Sequence, residues 1–361
     1  MNSSVVPLVL AGIENFVLIN AFLSIGAFSV VALARLSKRT RSWHPVSLAR
    51  LYAASLIVPP GISVWLVSAS LLPAAWIGTG RWVQEHQSSH TLHLLKALTV
   101  SLDPLLGYAA LGFALLASLI AVYAGASAYF RLDRVVLRLE IDAEPPVPDR
   151  VKQVEDACRR YGIDVGLVMS QYPFSFVWGY LRSKLVISTG LLNALSHEEL
   201  SALLEHEAAH HARRDNLLKW VLTICRYASP AFLLTGLLYR WWAEQVEMIC
   251  DEIAARRTSA PVEVAGALTR LKRLTLATLP RQLQPGESGF FGEKGESFEW
   301  RVTRVLSLPD QPEVSPATSL SRSWMRVAAL ASLAFALSLI ALFWMSPLAI
   351  HRAVESILHA F

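Results

Sequence analysis

Four stretches of the chain are almost continuously apolar: Val5–Ala34, Leu48–Ile77, Pro104–Phe130 and Met325–Met345. Each reaches the length of about 20 residues that crosses a bilayer as a helix, so four membrane spans are predicted. The first is too long for the core of a secretory leader. Its basic residues follow it instead of preceding it, which argues against a cleaved signal. Glu14, Asn15 and Asn20 lie inside this span, where polar groups face other helices or a cavity. Packing between helices is the expected role of Glu14. Leu217–Tyr239 is also apolar enough to cross, but Pro230, which has no N–H to continue a helix, interrupts it.

Between the third and fourth spans the pattern becomes that of a water-soluble domain. Glu140–Asp149 (EIDAEPPVPD) is acidic and proline-rich and reads as a linker. Val151–Tyr161 has helical character, and Val165–Ser170 and Lys184–Ser188 read as short strands. Ser196-His-Glu-Glu199 is a capping box, and it opens a helix expected to run to about Arg214. The predicted fold is mainly α: a polytopic membrane protein carrying a domain with a small β-sheet. Residues 1–130 form a three-span membrane domain, 131–324 the soluble-looking domain, and 325–361 a last span with a short tail.

Composition agrees with this division. The chain is 53% apolar and 17% charged, against roughly 25% charged residues in soluble domains. The net charge of +5 could mark a nucleic-acid binder. The basic residues, however, flank apolar stretches and form no stripe interleaved with aromatics, so direct nucleic-acid binding is not expected. They orient the chain instead. Arg35, Lys38, Arg39, Arg41 and Arg50 place the first loop in the cytoplasm, and Arg131, Arg134 and Arg138 return the chain there after the third span. The N-terminus and the tail are then outside and the intervening domain inside. His86, His90 and His93 in the outer loop have helical spacing and are expected on a solvated helix. Cys158, Cys225 and Cys250 are widely spaced and form no C-x-x-C pair, which argues against a disulfide framework and a thiolate metal site.

The chemistry concentrates in His206-Glu207-Ala-Ala-His210. In a helix, positions i and i+4 share a face, so both imidazoles can reach one zinc ion, with Glu207 beside them as general base. A catalytic zinc needs a third protein ligand and an open position for water. Glu244–Glu252, on a second predicted helix, supplies candidates, among which Glu247 can ligate. Asp251, one turn later, can accept the second ring N–H of a metal-bound histidine and fix its tautomer. If Leu217–Tyr239 crossed the membrane once, Glu247 and His206 would lie on opposite sides. A re-entrant hairpin at about residues 217–242, bent at Pro230 and covered by the first three spans, returns the chain to the side it left.

Three blocks resemble the peptidase domain of the bacterial BlaR/MecR-type β-lactam sensor-transducers: Pro173–Gly179 with Leu185–Leu192, Glu198–His210 with Arg213-Arg-Asp215, and Glu247-Met-Ile-Cys-Asp251. The resemblance implies a gluzincin-like cytoplasmic zinc endopeptidase in a bacterial inner membrane, with one zinc held by His206, His210 and Glu247. It also implies a protein substrate such as a transcriptional repressor, and an edge strand, expected at Lys184–Ser188, that pairs with the substrate backbone. Only Ser346–Phe361 follows the last span, too little for the family's outer penicillin-binding sensor, so antibiotic sensing is not expected. HtpX-type and CAAX-processing membrane peptidases share the H-E-x-x-H and the later Glu-x-x-x-Asp and are the nearest alternative. A non-enzymatic scaffold with structural zinc, and assembly into homo-oligomers, stay open. Gln284–Ser297 is rich in Gly and charge and is expected to be a flexible tether, with Phe290–Phe291 considered as a point of self-cleavage.

Overall fold

The computed structural model describes residues 5–36, 43–77, 145–179, 183–278 and 295–308, together with four single helical positions between 112 and 123. The expected spans at Pro104–Phe130 and Met325–Met345, the histidines of the outer loop and the Phe290–Phe291 pair lie outside or almost wholly outside these residues.

Two long helices open the chain, α1 (Val5–Leu36) and α2 (Pro45–Ile77). Segments Gly12–Leu36 and Pro45–Ser68 are long and apolar enough to cross a membrane. Phe22, Val30, Leu33 and Leu36 of α1 are largely exposed, so this helix is not the buried core of a soluble domain. Its polar residues face inward: Glu14 and Asn20 are buried.

The second region starts at α3 (Pro148–Tyr161), where Pro148 at the first helical position supplies a preset φ and Gly162, in the left-handed region, ends the helix. Strands β1 (Asp164–Val168), β2 (Ser175–Trp178) and β3 (Lys184–Ser188) follow, then the short α4 (Thr189–Ala194). The sheet order is β1-β3-β2, with β3 parallel to β1 and antiparallel to β2. The expected substrate-pairing edge at Lys184–Ser188 is therefore corrected: that strand is hydrogen-bonded on both sides and has no free edge. Its four buried positions, Leu185–Ser188, fit a central strand. The edge nearest the motif helix is β2.

Helix α5 (His197–Arg213) begins with the full capping box, Ser196 Oγ accepting from Glu199 N–H and the Glu199 carboxylate from Ser196 N–H. It packs on three sides. Leu200, Leu203, Leu204 and Ala208 join Ile187 and Leu191 in the core beneath the sheet. Ala202 faces Ala254 and Ala255, and Ala209 joins the core shared with the two long helices. Alanines at these contacts let the helices approach closely.

α6 (Asp215–Ala228) and α7 (Phe232–Thr258) form a helical hairpin turned at Ser229–Ala231, around Pro230. Asn20 of α1 donates to the carbonyl of Ala228 at 2.9 Å, satisfying an otherwise orphaned group at the end of α6. Val31, Tyr52, Leu56, Leu222, Leu238 and Trp242 pack together, so the hairpin and both long helices share one core. At 27 residues, α7 runs on from this core for about 40 Å in all and carries the second half of the site. α8 (Pro261–Thr278) and α9 (Gly295–Leu306) complete the described fold; the last three residues of the expected tether thus open α9.

A polar clasp joins α2, α7 and α9. His44, just before α2, and Arg304 of α9 both meet Glu252 of α7, at 3.3 and 3.1 Å. Burial pushes the Glu252 carboxyl up, but the bonds from His44 and Arg304 outweigh it and hold it down at about 2. A depressed carboxyl stabilises the fold above its unfolded pKa and stops doing so as pH falls through its folded value. The advantage of the native chain over Glu252→Gln in thermal unfolding should thus be complete above about pH 4.5 and vanish by about pH 2. An advantage independent of pH across that window would mean that the clasp contributes nothing ionic.

Candidate metal centre

The motif helix α5 and helix α7 cross so that three sequence-expected ligands meet. His206 Nε2 lies 3.2 Å from His210 Nε2, and Glu247 Oε2 and Oε1 lie 3.5 and 3.6 Å from those two nitrogens. A tetrahedral ion with bonds of about 2.0–2.1 Å needs ligand atoms about 3.4 Å apart, so this spacing fits zinc without rearrangement. The donor set, two imidazoles and a carboxylate, is that of a borderline ion. Glu247 Oε2 is buried and has no hydrogen-bond partner; the charged group it meets is Arg301 Nη2, at 3.6 Å.

Electrostatics point the same way. Burial pushes the Glu247 carboxyl up, but the neighbouring His210 and His206 rings and Arg301 hold it well below the usual carboxylate range. Burial pushes both rings down, yet the anionic groups around them more than reverse this and leave His210 well above the ordinary histidine value.

Each ring is held from behind. His206 Nδ1 is 2.9 Å from Asp251 Oδ1, and His210 Nδ1 is 2.9 Å from Asp215 Oδ2. With a carboxylate to accept each Nδ1–H, both Nε2 atoms offer lone pairs toward the common point once the rings are neutral. Asp251 stands where its spacing from Glu247 places it, whereas the sequence offered Asp215 only as part of the block that resembles the BlaR/MecR-type peptidases. Arg214 makes the difference. It adopts the left-handed conformation (φ 55°, ψ 40°), which reverses the chain between α5 and α6 and turns Asp215 back under His210. Arg213 Nε donates to the same carboxylate at 3.1 Å, and Cys250 Sγ lies 3.4 Å from His210 Nδ1.

Arg301 is a second residue the sequence did not reveal. It comes from α9, is buried, and donates to Asp251 through Nε at 2.6 Å and Nη2 at 2.8 Å. A two-pronged bond from an always-charged group keeps Asp251 ionised. The Asp251 carboxyl is accordingly low: burial raises it, and Arg301 and His206 more than compensate.

Glu207, adjacent to His206 in sequence, is buried, and its Oε1 accepts from Ser175 Oγ of β2 at 2.9 Å. The strand bearing Ser175 is anchored by its neighbours. Phe174 N–H donates to Ser188 Oγ and Phe174 C=O accepts from Ser188 N–H, both at 3.0 Å. The preceding loop sits tightly on Gly190, where a Cβ would come within 2.3 Å of Gln171 O. Because Phe174 pairs with Ser188, the alternation of an antiparallel ladder turns the backbone groups of Ser175 and Val177 away from β3. Asn216 Nδ2 takes the Val177 carbonyl at 2.7 Å. Ser175 thus turns its main chain away from β3 and its side chain to Glu207.

Residues 149–273 match the model of peptidase family M48. The matched segment carries His206, Glu207, His210, Asp215, Glu247 and Asp251 and stops before α9. Two similar curated proteins are Protease HtpX homologs of Pyrococcus abyssi and Pyrococcus furiosus. Each is 27% identical over 173 residues, which is 46% of this chain and 57% of the relative. The chain spans a little over half the length of these relatives. No solved structure matches significantly.

Proposed function

We propose that the chain is a membrane zinc metalloendopeptidase of the HtpX kind, processing or degrading membrane or membrane-surface proteins. The observation that carries the reading is the convergence of His206, His210 and Glu247 with Glu207 beside them, on a segment that resembles family M48. Three protein ligands leave a coordination position open, whereas a structural zinc is usually closed by four. The likeness to HtpX homologs favours this reading over a dedicated repressor-cleaving signal protease of the BlaR type.

His206, His210 and Glu247 would hold the zinc, which when bound polarises the scissile carbonyl and the attacking water. Asp251 and Asp215 fix the two rings. Glu207 takes the proton from the water and passes it to the leaving amine. An extended substrate segment would lie along β2, meeting the outward backbone of Ser175 and the N–H of Val177.

α1, α2 and the apolar hairpin would anchor the site at the cytoplasmic membrane surface, with the hairpin tip, where Phe232 and Leu233 are exposed, dipping into the bilayer. A cysteine placed at Glu244 should resist labelling from outside the cell; external labelling there would reverse this orientation. The activity is tested on the purified full chain in detergent with fluorescein-labelled casein. Cleavage should stop on chelation and return on adding zinc. Cleavage that survives chelation, or none with zinc supplied, would contradict the proposal.

A further inference from the structure

We propose that Ser175 is a positioning residue for the catalytic base: its hydroxyl holds one oxygen of the Glu207 carboxylate and leaves the other free to face the metal position. The inference deepens the peptidase reading above and rests on it. Three observations lead to it. First, the Ser175 Oγ to Glu207 Oε1 bond, 2.9 Å long and between two buried residues, is the only hydrogen bond to that carboxylate among the described residues. The terminal torsion of a glutamate is broad, so an untethered carboxylate would sample orientations that miss the water it must deprotonate.

Second, the hydroxyl has one proton to give, and a carboxylate only accepts, so the direction of the bond is fixed. Third, Ser175 is itself held on both sides. The Phe174–Ser188 pair fixes it against the sheet, and the Asn216 bond to Val177 O fixes the strand against α6. The anchor of the base is therefore a residue of β2 whose main chain turns away from β3. A peptide pairing there is placed opposite Glu207 by a single residue, so docking of substrate and alignment of the base share one support. Alanine at this position would keep the strand and delete only the bond.

The test compares the full-length wild type with Ser175→Ala and Ser175→Thr, each in detergent with zinc. The two readouts are kinetics on fluorescein-labelled casein and infrared spectra of the metal-free chains. Ser175→Ala should keep its zinc and its KM while kcat falls about tenfold, the scale expected for a misaligned catalytic group. Ser175→Thr, which restores a hydroxyl and suits a strand, should recover kcat to within about threefold of wild type. The carboxylate stretching bands that Glu207→Gln removes should shift in Ser175→Ala and stay in place in Ser175→Thr. Unchanged kcat in Ser175→Ala, unmoved bands, or a variant that unfolds or loses zinc would each overturn the positioning role while leaving the peptidase reading intact. A wild type that cleaves nothing with zinc present would overturn the peptidase reading, and this inference with it.

Discussion

Glu207→Gln should lose between about a hundred- and ten-thousand-fold in turnover while keeping its metal, because the amide preserves the shape of the side chain and removes the base. Glu207 follows His206 in sequence, and the hydrogen bond its carboxylate makes among the described residues is to Ser175 and not to His206, His210 or Glu247. Its loss therefore leaves the two imidazoles and the Glu247 carboxylate in place. Turnover and metal content measured on the same purified sample separate the roles. Undiminished turnover in Glu207→Gln would remove this residue from the chemistry.

Arg301→Ala should cost the largest stability of any single change to the centre, about 3–5 kcal/mol, the usual price of stranding one partner of a buried ion pair. The guanidinium is buried and closes on Asp251 at 2.6 and 2.8 Å, with Glu247 Oε2 only 3.6 Å away. Without it two neighbouring carboxylates would face each other in a desolvated space. Asp251 would also loosen its hold on His206, so zinc affinity should fall about 10–100-fold. Arg301→Lys keeps the charge but not the two-pronged geometry, and should fall between. Denaturant unfolding of the metal-free chain and a zinc titration read the two effects. Wild-type values in both would show that α9 is no part of the centre.

The parts of this site that could be read from sequence are those set by spacing within one helix. Four residues bring His206 and His210 onto one face, and four residues do the same for Glu247 and Asp251. The capping box announced where the first of these helices begins. Pro230 marked the place where the chain folds back, and the structure turns there between α6 and α7. What could not be read depends on contacts far apart in sequence. Asp215 reaches His210 only because Arg214 takes a left-handed conformation that no local pattern announces. Arg301 sits 50 residues beyond its partner Asp251 and looks like any arginine on an amphipathic helix. The order of the strands was misjudged for the same reason. Lys184–Ser188 and Ser175–Trp178 are similar short apolar runs, and only pairing with β1 decides which becomes central. Ser175 lies inside the Pro173–Gly179 block, but nothing in the sequence gave it a role or made that block a strand.

The central claim is that His206, His210 and Glu247 form one zinc site across two helices, and zinc content by mass spectrometry of the purified full chain tests it most directly. Wild type and Glu207→Gln should each carry one zinc per chain, whereas His206→Ala, His210→Ala and Glu247→Ala should each carry almost none while α-helix content by circular dichroism stays unchanged. A folded Glu247→Ala chain that retains a full equivalent of zinc would contradict the account, because the ion would then be held without the helix that the hairpin brings back.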